Sequence, residues 1–268
     1  MRTYKAVFSD IDGTLLTSEH IVSTATIEAI VSLQKKNIPF VIISSRSASC
    51  IYPILKKHHF QCPIVACGGA WIEDMNGRIL SNEGMSRQTA ATVIEFMTEK
   101  KFDLVWGIYS GKNWITNDRT DARILHEESV VEVKSVEGTV ALLPEDAVVN
   151  KILCMCNPAC ILQIEEVLKE AFPTLSIVKS SSYLLEIMPA GMNKAKGIRK
   201  FCEIFGIATE DSVAFGDNYN DLEMLYAAGC GVLMGNAPAA ILETFPGKVT
   251  LDNNHDGIPI ALKDLEMI

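Results

Sequence analysis

Five short apolar runs in this chain each end abruptly in small or polar residues, and they constrain the fold more than any other feature. The runs cover residues 4–10, 38–46, 63–69, 212–218 and 230–236. None alternates apolar with polar residues, so they are typical of strands buried on both faces of a parallel sheet. Stretches with helical spacing of apolar residues separate them, at residues 23–37, 193–206 and 220–229. This order predicts an α/β fold with a doubly wound, mostly parallel, Rossmann-like sheet.

The middle of the chain follows a different order. Helices and strands are mixed between two turn-rich stretches at residues 78–86 and 187–193, which are candidate crossings between domains. A chain of 268 residues is long enough for two domains. We therefore predict a core domain formed by residues 1–82 and 189–268, with an inserted α+β cap domain at residues 83–188.

Composition restricts the classes of function. The 24 basic and 33 acidic residues give a formal net charge of −9, which argues against nucleic acids and anionic membranes as partners. The sequence contains no long apolar segment typical of a secretory signal or a membrane-spanning helix. The eight cysteines lie mostly in apolar runs, which favours reduced thiols in a cytoplasmic protein. A metal cluster at Cys154, Cys156 and Cys160 is disfavoured because no second ligand pair follows at zinc spacing.

Polar side chains follow several of the predicted strands, and in open α/β sheets ligands bind at the carboxyl ends of strands. The strand ends and the helix start after the insert carry Asp10, Asp12, Ser44, Ser45, Arg46, Lys194, Asp217, Asn220 and Asp221. If the strands lie in one sheet, these carboxylates, hydroxyls and cations gather at one of its edges.

Two like charges, Asp10 and Asp12, end the first apolar run. Side chains two residues apart in an extended chain leave on the same side, and unshielded carboxylates this close raise the pKa of one of the pair. A divalent cation removes much of that repulsion, and an all-oxygen ligand set suits Mg²⁺. Asp217 is the natural further carboxylate, provided that its strand neighbours the first.

Other interpretations of these segments fail on spacing or context. In an EF-hand loop starting at Asp10, glycine would be sixth and glutamate twelfth, whereas Gly13 is fourth and Ile21 is twelfth. Residues 229–235 are rich in glycine but span a predicted strand, unlike a dinucleotide-binding loop. A plain turn at Asp10 and Asp12 is disfavoured because the preceding strand is wholly apolar.

Four segments together resemble the four motifs of the haloacid dehalogenase-like phosphohydrolase superfamily. They are DIDGT at 10–14, IISSR at 42–46, GMNKAKG at 191–197 and GDNYNDLEML at 216–225. Their order and spacing match over nearly the whole chain, and the position and length of the insert resemble the Cof-type branch with a C2 cap. The resemblance implies a phosphatase that uses Mg²⁺ and an aspartyl-phosphate intermediate to hydrolyse small phosphorylated metabolites, sugar phosphates above all.

The resemblance also implies a role for each matching residue. Asp10 would be the nucleophile, Asp12 the general acid and base, and Lys194 the cation that steadies the nucleophile and the phosphate. Phosphate contacts would come from Ser44, Ser45, Arg46 and Asn220. Metal binding would involve Asp10, Asp12 through its backbone carbonyl, Asp217, and Asp221 in an outer position. Gly13 would allow a sharp turn, and Thr14 would tie that turn down.

Two departures from the family pattern affect these expectations. The second motif usually reads threonine–glycine–arginine, whereas this chain has Ser44–Ser45–Arg46, and the missing glycine alters how the backbone approaches phosphate. Gly68 occupies a position where the family often has asparagine, which removes a polar contact to the substrate. Arg46 either contacts the substrate or forms a salt bridge at the surface.

The sequence leaves rival functions open. A phosphomutase on the same scaffold would return the phosphoryl group to a sugar, and a non-catalytic protein would only bind a phosphorylated ligand. A dehalogenase is disfavoured by the acids at Asp12 and Asp217. The cap is expected to exclude water from the reaction. The sequence determines neither the physiological substrate nor whether the chain forms a homo-oligomer.

Overall fold

The computed structural model describes residues 3–268, so the first two residues of the predicted core segment 1–82 lie outside the described part. The chain divides into two compact units. The core unit comprises the chain up to Arg46, Ile54–Ser81 and Asn193–Ile268, and the inserted unit comprises Ser47–Pro53 and Asn82–Met192. Among the described residues, every helix is too short or too polar to cross a membrane.

The described residues form sixteen strands and nine α-helices, together with short 3-10 helices. The strands are β1 Ala6–Ser9, β2 Phe40–Ile43, β3 Ile64–Ala66, β4 Trp71–Glu73, β5 Ile79–Asn82, β6 Met85–Ser86, β7 Leu104–Ser110, β8 Asn113–Thr116, β9 Val136–Glu137, β10 Val148–Val149, β11 Lys151–Cys156, β12 Leu175–Lys179, β13 Leu184–Pro189, β14 Ser212–Gly216, β15 Cys230–Leu233 and β16 Lys248–Val249. The helices are α1 Thr24–Lys35, α2 Ala48–Lys57, α3 Arg87–Glu99, α4 Ala122–Val131, α5 Ile161–Ala171, α6 Lys194–Phe205, α7 Leu222–Ala227, α8 Ala239–Leu242 and α9 Gly257–Asp264.

An eight-stranded sheet in the order β16-β15-β14-β1-β2-β3-β4-β5 forms the centre of the core unit. The neighbours from β16 to β3 pair in parallel, and β4 runs antiparallel to β3. The strands β1, β2, β3 and β14 are buried along their whole length, as expected for a parallel sheet covered on both faces. The predicted α/β fold with a mostly parallel sheet is confirmed.

Helix α6 is the core helix that matters most for the site. Its N-cap Asn193 accepts a hydrogen bond from the Lys196 amide, and Gly206 ends the helix in the left-handed conformation, as the sequence predicts. The helix approaches the sheet closely at Gly197, where a Cβ atom would lie 2.7 Å from Cγ1 of Val65. This close approach fixes the first turn of α6 against the sheet.

The inserted unit contains a six-stranded sheet in the order β12-β13-β11-β7-β8-β9, in which only β8 and β9 pair in parallel. The central strand β11 is fully buried, and its residues alternate between two hydrophobic clusters. Ile152 and Cys154 pack with residues of α3 and α5, whereas Leu153 and Met155 pack with residues of α4. An α+β unit of this kind agrees with the mixed order of elements in the sequence.

The limits of the inserted unit differ from the sequence-based limits of 83 and 188. The unit runs from Asn82 to Met192 and also takes in Ser47–Pro53, because Cys50 packs into the cluster that contains Tyr109 and Leu153. The sequence pattern does not predict α2, since Pro53 lies inside it and proline disfavours helix interiors. The stretch at residues 78–86, predicted to be a turn-rich crossing between domains, contains β5 and β6.

A network of hydrogen bonds holds one buried carboxylate of the inserted unit. Glu128 on α4 accepts hydrogen bonds from Arg119, Lys134 and both the amide and the hydroxyl of Ser135. Burial alone would raise the pKa of Glu128, but these hydrogen bonds lower it to about 2. A depressed folded-state pKa contributes stability above the unfolded value of 4.5, and that stability is lost as the pH falls towards 2.

We therefore expect Glu128→Gln to lower the free energy of unfolding by about 3 kcal/mol at pH 7 and by much less at pH 3. Urea unfolding followed by tryptophan fluorescence measures the difference, because Trp106 and Trp114 are buried in this unit. The exposed Glu166→Gln is the matched control and is expected to change stability little at either pH. A constant difference between Glu128→Gln and the unsubstituted protein across this pH range would contradict the assigned pKa shift.

Candidate active site

The parallel pairing of β1 with β14 brings the first and fourth motifs together. Ser9 lies opposite Phe215 in the register of these strands, so Asp10 and Asp217 follow adjacent strand ends. The amide of Asp10 continues the ladder by donating to the carbonyl of Phe215 at 3.0 Å. Asp10 and Asp217 are both buried. The neighbouring strands on which the sequence-based metal hypothesis depended are therefore present.

The turn after Asp10 packs directly against Asp217. Gly13 has a φ of +79°, and a Cβ atom there would lie 2.5 Å from Oδ2 of Asp217. Glycine is thus required both for the left-handed backbone and for the close approach. The hydroxyl of the buried Thr14 donates to Oδ1 of Asp217 at 2.7 Å. Thr14 therefore ties the turn to the fourth motif, a partner that its position in the sequence does not reveal.

Lys194 lies at the first position of α6 and is buried. Its ammonium donates to Oδ1 of Asp10 at 2.6 Å and also to Oδ1 of Asp221. The three residues come from three separate motifs, and the capped first turn of α6 holds the lysine in place. A single buried cation thus links the predicted nucleophile to the fourth motif.

Asp221 is fully buried and orders the loop that follows β14. Its Oδ2 atom accepts hydrogen bonds from the amides of Asp217 and Asn218, each at 3.0 Å. The Asn218 side chain in turn caps the 3-10 helix Tyr219–Asp221. With one oxygen on Lys194 and the other on two amides, Asp221 supports its neighbours; its outer position at a metal stays a prediction.

Carboxylates outnumber cations in this buried cluster. Ligand oxygens of Asp10, Asp217 and Asp221 lie within 4.8 Å of one another, and the ammonium of Lys194 contacts those of Asp10 and Asp221. Burial, followed by the charge of Asp221, raises the pKa of Asp10 to about 8 although Lys194 pulls it down. Burial also raises the pKa of Asp217 to about 6, against the hydrogen bond from Thr14.

The donor chemistry of the cluster fits Mg²⁺. The uncompensated negative charge calls for a further positive charge, and hard carboxylate oxygens are the ligands that this cation prefers. Asp10 and Asp217 each keep one carboxylate oxygen outside the hydrogen bonds described above. The residues present therefore fit a divalent cation at the carboxyl ends of β1 and β14.

The carboxylate of Asp12 binds Arg46. The guanidinium donates from Nε to Oδ2 at 2.9 Å and from Nη2 to Oδ1 at 2.7 Å, a bidentate arrangement. The Asp12 side chain is 52% exposed, whereas that of Arg46 is 14% exposed. Of the two roles that the sequence left open for Arg46, a substrate contact and a surface salt bridge, the structure shows a salt bridge, and its partner is the predicted general acid.

The remaining predicted phosphate contacts are distributed unevenly. Ser44 is buried directly after β2, where its hydroxyl accepts from the amide of Arg46 at 3.1 Å. Ser45 follows it and is half-buried, while the side chain of Asn220 is exposed in the 3-10 helix. At the position of the usual asparagine, Gly68 is left-handed with φ 61°, and its amide donates to the carbonyl of Ser44. The second motif and this loop are thus joined through the backbone.

Comparison with known proteins identifies the family. The model of the haloacid dehalogenase-like hydrolases matches residues 7–262. The chain belongs to this family. A Haemophilus influenzae protein whose name assigns it provisionally to the phosphatases is 36% identical over 97% of this chain and 98% of its own length.

More distant relatives also match nearly the whole length of this chain. A Bacillus subtilis protein named 5-amino-6-(5-phospho-D-ribitylamino)uracil phosphatase YwtE is 24% identical over 97% of this chain and 98% of its own length. The crystal structure of a haloacid dehalogenase-like hydrolase from Bacteroides thetaiotaomicron superposes with a TM-score of 0.87 at 24% identity, covering 98% of this chain and 100% of that one. The predicted superfamily is confirmed, and the chain is an enzyme of the phosphatase class.

Proposed function

We propose that this family member is a Mg²⁺-dependent phosphatase that hydrolyses small phosphorylated metabolites, sugar phosphates above all, through an aspartyl-phosphate on Asp10. The observation that carries the proposal is the buried contact of Lys194 with Asp10 beside Asp217. A carboxylate nucleophile divides one difficult displacement into two easier ones. The hydrogen bond from Lys194 to Oδ1 of Asp10 holds this carboxylate in place for attack on a phosphorus atom.

Asp12 is suited to move the protons of both steps. In the first step it gives a proton to the oxygen that leaves with the metabolite, and in the second it takes one from the attacking water. Such general acid–base catalysis is typically worth about 10²–10⁴-fold. In the structure both carboxylate oxygens accept from Arg46, so Asp12 can carry the proton of the first step only after one of these hydrogen bonds opens. The partial exposure of Asp12 leaves its carboxylate accessible to a substrate.

Asp10, Asp217 and the backbone carbonyl of Asp12 are the groups that we assign to Mg²⁺, with Asp221 in an outer position. When bound, the cation neutralises charge on the transferring phosphoryl group and offsets the repulsion among the carboxylates. Thr14 and Gly13 hold Asp217 in place for this role. We assign to the phosphate Ser44, which lies at the end of β2, together with Ser45, Arg46 and Asn220.

The substrate class rests on the relatives and on the charge of the chain. The Bacillus subtilis relative is named as a phosphatase of a phospho-ribityl compound, which supports a small phosphorylated polyol or sugar as substrate here. The net charge of −9 is unfavourable for nucleic acids. The composition and the thiol pattern support action in the cytoplasm. The alternatives are a phosphomutase on the same scaffold and a non-catalytic phospholigand-binding protein.

The proposal is tested by measuring inorganic phosphate released from p-nitrophenyl phosphate and from a panel of sugar phosphates. We expect hydrolysis with Mg²⁺, its loss in excess EDTA, and its return on adding Mg²⁺, because the buried carboxylates need a divalent cation. A phosphodiester, bis-p-nitrophenyl phosphate, is the control substrate and should not be hydrolysed. Hydrolysis that is indifferent to EDTA would contradict the metal assignment. Formation of an isomeric sugar phosphate without phosphate release would establish the phosphomutase instead.

A further inference from the structure

Two asparagines from the C-terminal part of the core unit hold the turn that follows the predicted nucleophile. Nδ2 of Asn236 donates to the carbonyl of Gly13 at 2.8 Å, and Nδ2 of Asn253 donates to the carbonyl of Leu16 at 2.7 Å. The amide of Asn253 donates to Oδ1 of Asn236 at 3.1 Å. These bonds link the asparagines to each other and to both ends of the segment Gly13–Leu16.

The same segment is bonded on its other side to the site itself. Thr14 donates to the Asp217 carboxylate, and the amide of Leu15 donates to the carbonyl of Asp10 at 3.2 Å. The turn therefore lies between the reacting carboxylates and the two asparagines. A displacement of the asparagines would therefore reach Asp10 and Asp217 through one short loop.

Gly13 is the position where such support matters most. A glycine can rotate its peptide groups more freely than any other residue. Its left-handed conformation, with φ +79°, places it against the Asp217 carboxylate. The hydrogen bond from Asn236 to the Gly13 carbonyl fixes the peptide that follows this glycine, and so limits rotation of the backbone on which Asp12 and Thr14 are mounted.

We call the hydrogen bonds of Asn236 and Asn253 to the Gly13–Leu16 turn the asparagine bridge. This bridge contributes more to the position of the turn than to the stability of the fold. Asn236 is exposed and Asn253 is half-buried, so water can replace either amide as a partner for the Gly13 and Leu16 carbonyls when the asparagines are removed. A misplacement of reacting groups by about 1 Å can nevertheless lower a rate by about 10²-fold. Loss of the asparagine bridge should therefore lower the catalytic rate far more than the stability of the fold.

We propose that Asn236 and Asn253 are positioning residues of this phosphatase, which act by fixing the Gly13–Leu16 turn and through it the carboxylates of Asp10, Asp12 and Asp217. The inference rests on the roles proposed above for those three aspartates. It assigns a purpose to two polar loop residues that lie outside the four sequence motifs.

The variants Asn236→Ala and Asn236→Asp test the proposal, with Asn254→Ala as the matched control. Asn254 belongs to the same segment, but its side chain accepts from the amide and hydroxyl of Ser18, beyond the turn. Asn236→Asp keeps an acceptor for the Asn253 amide but turns an oxygen towards the Gly13 carbonyl. Both Asn236 variants are expected to lower kcat by about 10- to 100-fold with KM changed by less than about threefold.

A second readout does not depend on turnover. The rise in Tm on adding Mg²⁺ alone should be smaller in both Asn236 variants than in the unsubstituted protein and unchanged in Asn254→Ala. The Tm without metal should shift by only a few degrees. A variant with normal kcat and a normal Mg²⁺-induced shift but a lower Tm would show a purely structural role and overturn the proposal. An equal loss of kcat in Asn254→Ala would overturn it as well.

Failure of the positioning role can be distinguished from failure of the proposed function. If the unsubstituted protein releases no phosphate in the presence of Mg²⁺, the proposed function fails, whereas the comparison of Mg²⁺-induced Tm shifts still decides whether Asn236 positions the carboxylates. If the unsubstituted protein is active and Asn236→Ala matches it in both readouts, only the positioning role fails.

Discussion

Replacing Asp10 with asparagine is expected to lower kcat for phosphate-ester hydrolysis by at least about 10³-fold, because the amide cannot act as the nucleophile. The substitution keeps the size and shape of the side chain, and it removes one of the carboxylates that crowd together with Asp217 and Asp221. Without added metal, the variant should therefore unfold at the same temperature as the unsubstituted protein or at a higher one. The measurements are steady-state phosphate release with Mg²⁺ and calorimetry without it.

This combination of lost activity and retained stability separates a nucleophile from a structural carboxylate. Asp264→Asn, which alters an exposed carboxylate in the same unit, is the matched control and should leave both quantities unchanged. An Asp10→Asn protein that hydrolyses p-nitrophenyl phosphate as fast as the unsubstituted protein would falsify the nucleophile assignment. A large fall in its unfolding temperature would indicate that Asp10 mainly holds Lys194.

Lys194→Met should be the most destabilising of the site substitutions. Lys194 is buried and donates to both Asp10 and Asp221, so its removal leaves buried carboxylates without their cation. Breaking a buried ion pair from one side costs about 3–5 kcal/mol. We expect a loss of this size in the free energy of unfolding measured without metal, together with loss of phosphatase activity.

A second substitution tests the electrostatic origin of that loss. Adding Asp221→Asn to Lys194→Met removes one of the stranded charges and should recover part of the stability but none of the activity. Lys200→Met, on the same helix, is the control: its lysine forms a surface pair with Glu203 at 3.1 Å, worth at most about 1 kcal/mol. If Lys194→Met were as stable as Lys200→Met, the buried ion pairs would not stabilise the fold.

Much of the core unit could be predicted because its strands are continuous apolar runs. The runs at 4–10 and 212–218 correspond to β1 and β14, and the predicted caps at Ser23 and Asn193 begin α1 and α6. Local patterns of this kind reflect burial on both faces and the unpaired amides of helix starts, which act within a few residues. Local patterns do not predict α2, because Pro53 within it argues against a helix.

Some residues of the candidate site could be predicted from the sequence and others could not. The four motifs identify Asp10, Asp12, Lys194, Asp217 and Asp221 from the sequence, since each follows a recognisable strand or opens a helix. The motifs do not indicate that Arg46 binds the Asp12 carboxylate. From the sequence alone, Arg46 could equally contact the substrate or form a surface salt bridge. Asn236 and Asn253 belong to no periodic or capping pattern, so the sequence does not predict their contacts with the turn.

The sequence by itself determined the fold class, the family and the candidate residues of the site, because apolar patterning and motif residues are local properties of the chain. Only the tertiary structure decided which side chains hold those residues. Thr14 lies 203 residues from its partner Asp217, and Asn236 lies 223 residues from Gly13. No local pattern specifies which loop folds against which, so these hydrogen bonds exist only once the parallel order β15-β14-β1 has brought the strand ends together.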